Sequence, residues 1–465
     1  MTSRAIVSLL LALIGLGGCT VGPDYRRPEV AAPVAFKEAQ GWKPAEPRDQ
    51  APLGHWWEAW ADPQLNALVA QVRISNQNVR AAAAQYRQAQ ALLGVARAGE
   101  FPVVDAGMAA NRGRGVVRND SISLSAIWEA DLWGRIRRTV EQSRANAEAS
   151  AADLRAALLS AQAAVLQAYL QLRVNDAEQR MLASTVAAYQ RSLEITRNRY
   201  EAGVAGKLDV TQAETQLNAT QAQYIDLGVQ RTQLEHAIAV LLGKAPAEFD
   251  LAAVDALPSL PAIPAALPTE LLERRPDIAS AERHMAAANA GIGIAQAAFY
   301  PSLTLNGSLG FQNSGLAGLL TAPNRFWSLG PSLALSLFDA GARSAQKEAA
   351  SAAYDATVAD YRQVVLAGFQ EVEDNLSALR VLEQEARAQQ AAAQAAAESL
   401  RLAENQYKAG TVSYLNVVSA QASALAADVN SLSINGRRLL ASVALFKALG
   451  GDWQAEPAMA ATVRH

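Results

Sequence analysis

Hydrophobic residues recur along this chain with two different periods, and each period occupies its own segments. Two spans of 68 residues, 135–202 and 342–409, are rich in Ala, Leu, Gln, Glu and Arg and together contain one glycine and no proline. These residue types favour helix. Apolar positions alternate by four and three, as at Leu154, Leu158 and Ala161, which is the heptad spacing of a coiled coil. The pattern predicts two helices of about 100 Å each.

Both predicted helices end in the same way. Residues 200–204 read Tyr-Glu-Ala-Gly-Val, and residues 407–411, which lie 207 positions later, read Tyr-Lys-Ala-Gly-Thr. A glycine just past a helix end adopts the left-handed conformation that terminates the helix, and a Thr or Ser soon afterwards can start the next one. The sequence therefore predicts two helical hairpins, whose second arms run to about Leu242 and Leu449, within an internal duplication.

Before each long helix the hydrophobic period changes to two. Alternation of small polar and apolar side chains covers residues 104–110, 121–128, 302–312 and 327–337. Such alternation indicates strands with one apolar and one polar face. Strands of about 10 residues are long enough to cross an outer membrane at a tilt. Residues 112–119 and 313–326 are then predicted surface loops, and a soluble β-sandwich is the alternative explanation.

The N-terminus carries an export signal. Arg4 precedes an apolar stretch, residues 5–16, that is too short for a transmembrane helix of about 20 residues. It ends in Leu-Gly-Gly-Cys at Cys19, the single cysteine of the chain. The pattern resembles a bacterial lipobox, in which the cysteine is acylated after residues 1–18 are removed. Thr20 in place of Asp is typical of sorting to the outer membrane; an ordinary secretory signal is the alternative.

Charge and composition narrow the function classes. A formal net charge of −3 gives no electrostatic reason to expect a nucleic-acid partner. One cysteine excludes a disulfide framework and a Cys-based metal or redox site. We interpret His284 as a packing residue on an amphipathic helix, and Asp131 and Asp339 as helix N-caps. The dispersed histidines suggest no ligand cluster; they are His55, His236, His284 and His465. The sequence therefore predicts neither an enzyme nor a cofactor.

Four strands cannot close a transmembrane barrel, for which about eight is the small limit. Open sheet edges are not tolerated in lipid. A chain with four such strands must therefore pool them with other copies of itself. With the hairpins extending the tube into the periplasm, the residues alone predict a lipid-anchored oligomeric tunnel.

Several segments carry a family resemblance in order along nearly the whole mature chain. They are 19–28, 56–57, 62–68, 128–135, 273–278, 281–282, 298–303, both hairpin ends and 439–453. Together they resemble the TolC-like outer-membrane efflux channels, in the lipoprotein branch that serves resistance-nodulation-division pumps. The resemblance implies a mixed, mainly α fold, in which a homotrimer forms a shared 12-stranded β-barrel, four strands per chain, above a coiled-coil periplasmic barrel of 12 helices.

The resemblance also implies function and partners. We expect the exit duct of a tripartite efflux pump in the outer membrane, without cofactor or chemistry, working with a periplasmic adaptor protein and an inner-membrane proton-driven pump. A periplasmic adaptor lipoprotein, or another coiled-coil lipoprotein, is the alternative; an adaptor would carry one hairpin and no membrane-length strands. The expected segments are a signal peptide (1–18), an extended N-terminal segment (19–60), two structural repeats (61–250 and 268–450) and a tail (451–465).

Specific residues match functional positions of the family. Gly203, Val204, Gly410 and Thr411 match the hairpin ends that meet the adaptor. The alternative is that the glycines serve only as helix caps.

A second set matches the periplasmic aperture. Leu415 matches a hydrophobic plug, with Asn416 and Ser419 beside it. Ser419 stands where relatives often carry an Asp, so we expect Asp209, the repeat-equivalent of Asn416, to supply charge in three copies. The alternative is that Asp209 caps the start of its helix.

Overall fold

The computed structural model describes residues 20–28, 54–114, 116–254, 257–261 and 275–451. These residues form a mainly helical fold with one four-stranded sheet. The helices are α1 (Pro63–Ser75), α2 (Gln77–Ala98), α3 (Arg135–Glu201), α4 (Lys207–Leu241), α5 (Pro276–Ala297), α6 (Ala342–Lys408) and α7 (Tyr414–Ala448), with short 3-10 helices at Trp56–Trp60, Pro246–Glu248 and Ala322–Asn324. The strands are β1 (Val103–Gly113), β2 (Val116–Ala130), β3 (Ser302–Asn313) and β4 (Arg325–Ala334).

The long helices confirm the predicted hairpins and the duplication. Helices α3 and α6 contain 67 residues each, and α4 and α7 contain 35 each. Corresponding helices begin 207 positions apart, as the sequence repeat requires. We call α3 with α4 hairpin 1, and α6 with α7 hairpin 2. The helices run this long because almost no proline or glycine interrupts them.

The described residues divide into two compact units. The first consists of residues 20–28, 83–153 and 277–364, and the second contains the others. Each unit draws on both halves of the chain, so neither predicted repeat coincides with one unit. The repeat boundaries therefore remain predictions. The predicted signal peptide lies outside the described residues, and the predicted N-terminal segment and tail are described only in part.

The sheet, in the first unit, is antiparallel with the strand order β1-β2-β3-β4. Its ladder aligns apolar side chains on one face, for example Leu124 opposite Leu309 and Leu309 opposite Trp327. The other face is lined with small polar side chains, and the hydroxyls of Ser308 and Ser328 lie 2.8 Å apart. Leu309 is 58% and Trp327 75% exposed. Since the described residues contain no second sheet to cover this apolar face, the sandwich alternative is wrong.

The strand ends differ from the prediction. Strand β4 stops at Ala334, not at residue 337, because Ala334 pairs with Ser302, the first residue of β3, and beyond it no partner strand remains. The predicted loop 112–119 is also wrong: β1 and β2 keep pairing as far as Gly113 opposite Val116. Backbone hydrogen bonds between strands can continue through polar residues. The alternation of polar and apolar side chains, in contrast, reveals only the part of a strand that has an apolar face.

Asp131 and Asp339 do cap their helices through their carboxylates, although Gly134 and Gly341, not the aspartates, hold the N-cap positions. The Asp131 carboxylate accepts hydrogen bonds from the backbone N–H groups of Ile136 (3.0 Å) and Arg137 (2.9 Å) at the start of α3. The Asp339 carboxylate accepts from the backbone N–H of Arg343 (3.2 Å) at the start of α6. Each bond satisfies an N–H that lacks a partner within the helix.

The main hydrophobic core belongs to the second unit. The Trp56–Trp60 segment and α1 pack there against α3 and α7, with the Trp56 and Phe446 rings stacked at 6.2 Å. Among the described helices, none combines the length and the hydrophobicity needed to cross a bilayer.

Candidate functional site: the hairpin tips

Both hairpins turn through the same backbone cap. We call residues 202–206 tip 1 and residues 409–413 tip 2. Gly203 and Gly410 have φ values of 72° and 77°. The next N–H in each tip, of Val204 and of Thr411, bonds five residues back, at 2.8 and 3.0 Å. Among the described residues, no atom beyond the adjacent residues lies within 4 Å of a Cβ added at either glycine. Glycine is therefore required by the positive φ and not by close packing.

The tips present small side chains to solvent. Val204 is 66% exposed, and the Thr411 hydroxyl donates back to the Gln406 carbonyl (3.0 Å). The prediction that a Thr or Ser starts the following helix holds by position in hairpin 2 and is wrong for hairpin 1. Gly206 is the N-cap of α4, and Ser413, the N-cap of α7, makes no side-chain cap hydrogen bond. The role of the tips in docking stays a prediction.

The aperture candidates on α7 share one exposed face. Leu415 is 55% exposed, and Asn416 and Ser419 are exposed beside it. Tyr414 and Val417 point the other way and are buried. The helical period therefore groups the three candidates on one surface, as lining a pore would require. Whether they line it stays a prediction.

Asp209 lies in the first turn of α4 but does not cap the helix. Gly206 occupies the N-cap position. Among the described residues, the Asp209 carboxylate accepts no hydrogen bond from a helix N–H, so the cap alternative is wrong. Its charge still interacts favourably with the positive end of the helix dipole.

A cluster of side chains links the two hairpins, and the sequence analysis missed it. The Tyr414 hydroxyl lies 3.1 Å from that of Ser192, and the Tyr189 hydroxyl donates to the Gln421 backbone carbonyl (3.2 Å). The Tyr407 and Tyr414 rings pack edge to face at 5.1 Å. We call these five residues the inter-hairpin seam. Burial raises the pKa of Tyr189 and of Tyr414, so both hydroxyls stay neutral at physiological pH.

Arg199 extends this seam. Its guanidinium lies 4.8 Å from the centroid of the Tyr407 ring and donates to the Lys408 backbone carbonyl (3.1 Å) at the end of α6. A cation there complements both the face of the ring and the negative end of the helix. Arg199 therefore ties the end of α3 to the end of α6.

The equivalent face of hairpin 1 is open. Lys207 replaces Tyr414 at the repeat-equivalent position, and Glu214 replaces Gln421. Glu214 forms an ion pair with Arg197 (2.7 Å), whose hydrogen bond lowers the pKa of that carboxyl. A groove of about 530 Å³ lies here between α3 and α4. Comparing residues 207 positions apart is the signal that could have revealed this difference from sequence.

The lipidation candidate, Cys19, lies outside the described residues. The residues that follow it, 20–28, belong to the first unit and contact the start of α3 there. The Arg138 guanidinium donates to the Gly22 carbonyl (3.3 Å) and pairs with Asp24 (3.0 Å). The segment next to Cys19 is thus held by specific contacts, while lipidation itself stays a prediction.

His284 does lie on a helix, α5, but its side chain is exposed. Its interpretation as a packed residue is therefore wrong for the single chain, because His284 lines an open groove together with residues of α3 and α6, such as Gln142 and Thr357. Within the described part of the chain, no three His, Cys, Asp or Glu side chains are grouped so as to hold a metal ion.

Comparisons with known proteins agree with one another. The sequence profile of the family described as outer membrane efflux protein matches residues 68–244 and 267–451. The chain is 32% identical to the probable efflux pump outer membrane protein TtgC of Pseudomonas putida, over 97% of this chain and 96% of that protein. It is 29% identical to the cation efflux system protein CusC of Escherichia coli, over 95% of this chain and 97% of that protein. The solved structure of the outer-membrane channel OprN is similar with a TM-score of 0.86 and 34% identity, over 94% of this chain and 100% of that one.

Proposed function

Because the chain belongs to the family of outer membrane efflux proteins, we propose that it works as a homotrimeric exit duct of a tripartite pump. The observation that carries this proposal is the sheet: four strands, an exposed apolar face, a polar face and two edges that have no partner strand among the described residues. Three copies would supply twelve strands, close the edges and place the polar faces around a water-filled lumen. The adaptor alternative is wrong, since the described residues already form two hairpins and four strands.

Native mass spectrometry of protein extracted from outer membranes tests the assembly. We expect a mass of three chains. A monomer in the same membrane fraction would contradict the homotrimer, because a single chain cannot close its sheet.

Docking of a periplasmic adaptor is the second part of the proposal. Both tips carry exposed small side chains, and apart from the adjacent residues no described part of the chain fills the space around their glycines. Gly203→Trp and Gly410→Trp should therefore keep the trimer yet block an approaching hairpin. We expect both variants to lose co-purification with the native adaptor and to lose drug resistance.

The matched controls are Gly203→Ala and Gly410→Ala. Alanine carries the same penalty at positive φ but adds little bulk. The alanine variants should keep the adaptor. Normal co-purification and resistance in both tryptophan variants would limit the glycines to helix capping.

The aperture is the third part of the proposal. We place Leu415, Asn416 and Ser419 at a constriction, where the exposed leucine would narrow the pore. Leu415→Gly should raise the leak conductance in single-channel recordings. The control is Leu208→Gly, the repeat-equivalent leucine, which is 68% exposed on α4 and carries the same loss of helix propensity, about 1 kcal/mol. Equal leak in both variants would place the gate elsewhere.

Charge at the aperture is tested separately. The Asp209 carboxylate has no hydrogen bond to its own helix that would occupy it, so three copies could attract cations. Asp209→Asn should lower cation preference, and Asn416→Asp, at the repeat-equivalent position, should raise it. Unchanged cation preference in both variants would mean that charge at these positions does not determine the selectivity of the pore.

Lipid anchoring is the last part of the proposal. The contacts of Gly22 and Asp24 with Arg138 fix the segment that follows Cys19 in the sequence. Cys19→Ser should abolish incorporation of a labelled fatty acid, because the thiol is the acyl acceptor. Export should fall but not vanish, since the sheet could still insert. Incorporation of the labelled fatty acid into the Cys19→Ser variant would contradict the assignment of Cys19 as the lipidation site.

A further inference from the structure

The basic side chains of the sheet are gathered at one end of it. Residues 103–130 and 302–334 contain no lysine and four arginines, which we call the arginine rim: Arg112, Arg114, Arg118 and Arg325. All four lie where β1 turns into β2 and where β4 begins, away from the end at which β2 leads into α3. Asp105 and Glu129 lie at that opposite end. The sheet therefore carries all its positive charge at the end away from the long helices.

Arg325 stands on the apolar face of the sheet. Residues opposite each other on neighbouring strands share a face. Arg325 is opposite Phe311, and Phe311 is opposite Ile122. Ile122 lies two positions before Leu124, which belongs to the apolar face, and residues two apart in a strand point the same way. Arg325 thus lies on the face that would meet lipid.

Arg118 and Arg112 stand on the same face. The Arg118 guanidinium pairs with the carboxylate of Asp120 (2.7 Å), and Asp120 lies two positions before Ile122. Ala110 is opposite Asp120, and Arg112 follows Ala110 by two positions. The irregularity of the ladder beyond this point places its extra residue in β2, so β1 keeps its alternation. The apolar face therefore ends in a row of cations.

Most of this charge has no partner within the chain. Arg112, Arg114 and Arg325 are exposed, and none of them forms an ion pair with another described residue. Arg118 is paired, yet its side chain is still 41% exposed. An unpaired cation at the edge of an apolar surface is costly unless water or an anion meets it. The rim thus offers a site to an anion from outside the chain.

The spacing along β2 gives the depth of the rim. Arg118 and Trp128 are ten positions apart, which is about 33 Å along a strand. At the usual strand tilt of about 40° this distance spans about 25 Å of membrane, the height of the apolar band on an outer-membrane barrel. The Trp128 indole, which donates to the Glu100 carbonyl (3.0 Å), would mark the lower boundary, where aromatic girdles lie. The rim would then lie among the headgroups of the opposite leaflet.

We infer that the arginine rim binds the phosphate groups of lipopolysaccharide, the lipid that forms the outer leaflet of a bacterial outer membrane. The inference rests on the proposed outer-membrane duct, because the helices then occupy the periplasm and the strand turns face outwards. Its lipid A portion is a phosphorylated sugar with acyl chains, so one molecule presents anions to the rim and hydrocarbon to the apolar face below. Arginine suits this ligand, since its planar guanidinium can donate two parallel hydrogen bonds to one phosphate.

Binding of rough-type lipopolysaccharide to the detergent-purified trimer tests the inference. The test variant is Arg112→Gln with Arg114→Gln and Arg325→Gln. Arg118 is kept, because its removal would leave the buried Asp120 carboxylate without its cation. We expect the apparent affinity to fall at least tenfold, and added salt to weaken binding by the wild type.

Two control variants separate the rim from general effects of charge. Lysine at the same three positions keeps the charge and loses the fork of the guanidinium, so this variant should bind more tightly than the glutamine variant. Arg135→Gln removes a half-exposed arginine at the helix end of the sheet and should bind like the wild type. A tenfold loss in Arg135→Gln as well would overturn the assignment to the rim.

The ligands used in the titration decide the remaining outcomes. Equal binding by the wild type and the glutamine variant would overturn the inference, and so would equal binding of dephosphorylated lipopolysaccharide. Equal affinity for phosphatidylglycerol would assign the rim to anionic lipids in general, and displacement by millimolar inorganic phosphate would assign it to the free ion; either result would overturn the choice of lipopolysaccharide. Native mass is read on the same samples. A wild-type protein without a three-chain mass would overturn the homotrimer itself, whereas an intact trimer with unchanged binding overturns the rim alone.

Discussion

The two hairpins share a backbone and differ in what surrounds their tips. Their arms have equal lengths, and both turn at a glycine with positive φ. Yet tip 2 sits above buried Tyr407, Tyr414 and Gln421, whereas the equivalent residues of hairpin 1 are exposed or half-buried. The difference teaches that the caps and heptads set the shape of each hairpin, while a few side chains decide which neighbour it accepts.

The two kinds of contact also differ in strength. The inter-hairpin seam buries three aromatic rings, and the hydroxyls of Tyr189 and Tyr414 have hydrogen-bond partners, so apolar burial and hydrogen bonds add together at those two residues. Hairpin 1 instead carries the Arg197–Glu214 pair, whose side chains are 55% and 36% exposed. An ion pair so accessible to water contributes little. We therefore expect substitutions in the seam to cost far more than their equivalents in hairpin 1.

The largest expected effect comes from Tyr414→Ala. Removing a fully buried ring leaves a cavity among Tyr407, Val417 and their neighbours and also orphans the Ser192 hydroxyl. Truncation of a buried aromatic side chain costs about 3–5 kcal/mol. Denaturant unfolding followed by circular dichroism should show this loss in the free energy of unfolding.

Lys207→Ala is the matched change in hairpin 1. Its side chain is exposed in the single chain, so the expected cost there is within about 0.5 kcal/mol. An equal loss in the free energy of unfolding for Tyr414→Ala and Lys207→Ala would contradict the proposed difference between the hairpins, because it would mean that the two faces are equally buried.

The sequence predicted the long helices well because their signals are local. Composition, heptads and a capping glycine all lie within the segment they describe. Strand ends were less predictable, since the end of β4 depends on where β3 begins. The seam was unpredictable for a related reason: Tyr189 and Gln421 are 232 positions apart, and no local pattern reports which helix lies beside which.

Arg199→Ala should have the next largest effect. It removes a guanidinium stacked on Tyr407 and a hydrogen bond to the Lys408 carbonyl, together worth about 1–2 kcal/mol. The same unfolding measurement applies, with Gln406→Ala as the repeat-equivalent control in dissociated chains. A larger loss for Gln406 than for Arg199 in those chains would reverse the asymmetry that we describe.

Alanine at the two capping glycines tests the feature that the hairpins share, namely the backbone of the tip. Gly203→Ala and Gly410→Ala each force a Cβ into the left-handed region, at about 1–2 kcal/mol. Because no described atom beyond the adjacent residues lies within 4 Å of the added carbon at either site, the two costs should agree within about 0.5 kcal/mol. Melting temperatures of the two variants would check this; a clear difference would show that the tips are not equivalent in backbone.

The smallest expected effect concerns acid. The hydrogen bond from Arg197 holds the pKa of Glu214 below its ordinary value of 4.5, and Lys207 adds to the shift. A carboxyl with a lowered pKa in the folded state stabilises that state above the ordinary value, and the contribution disappears as the pH falls through the lowered pKa. The wild-type melting temperature should therefore exceed that of Glu214→Gln slightly at pH 7 and equal it in strong acid.

Glu194→Gln is the control, since Glu194 lines the same groove but forms no ion pair among the described residues. Hairpin 2 has the neutral Gln421 at the equivalent position. If the difference in melting temperature between wild type and Glu214→Gln persisted unchanged into strong acid, the Arg197–Glu214 ion pair would not be what distinguishes the two faces.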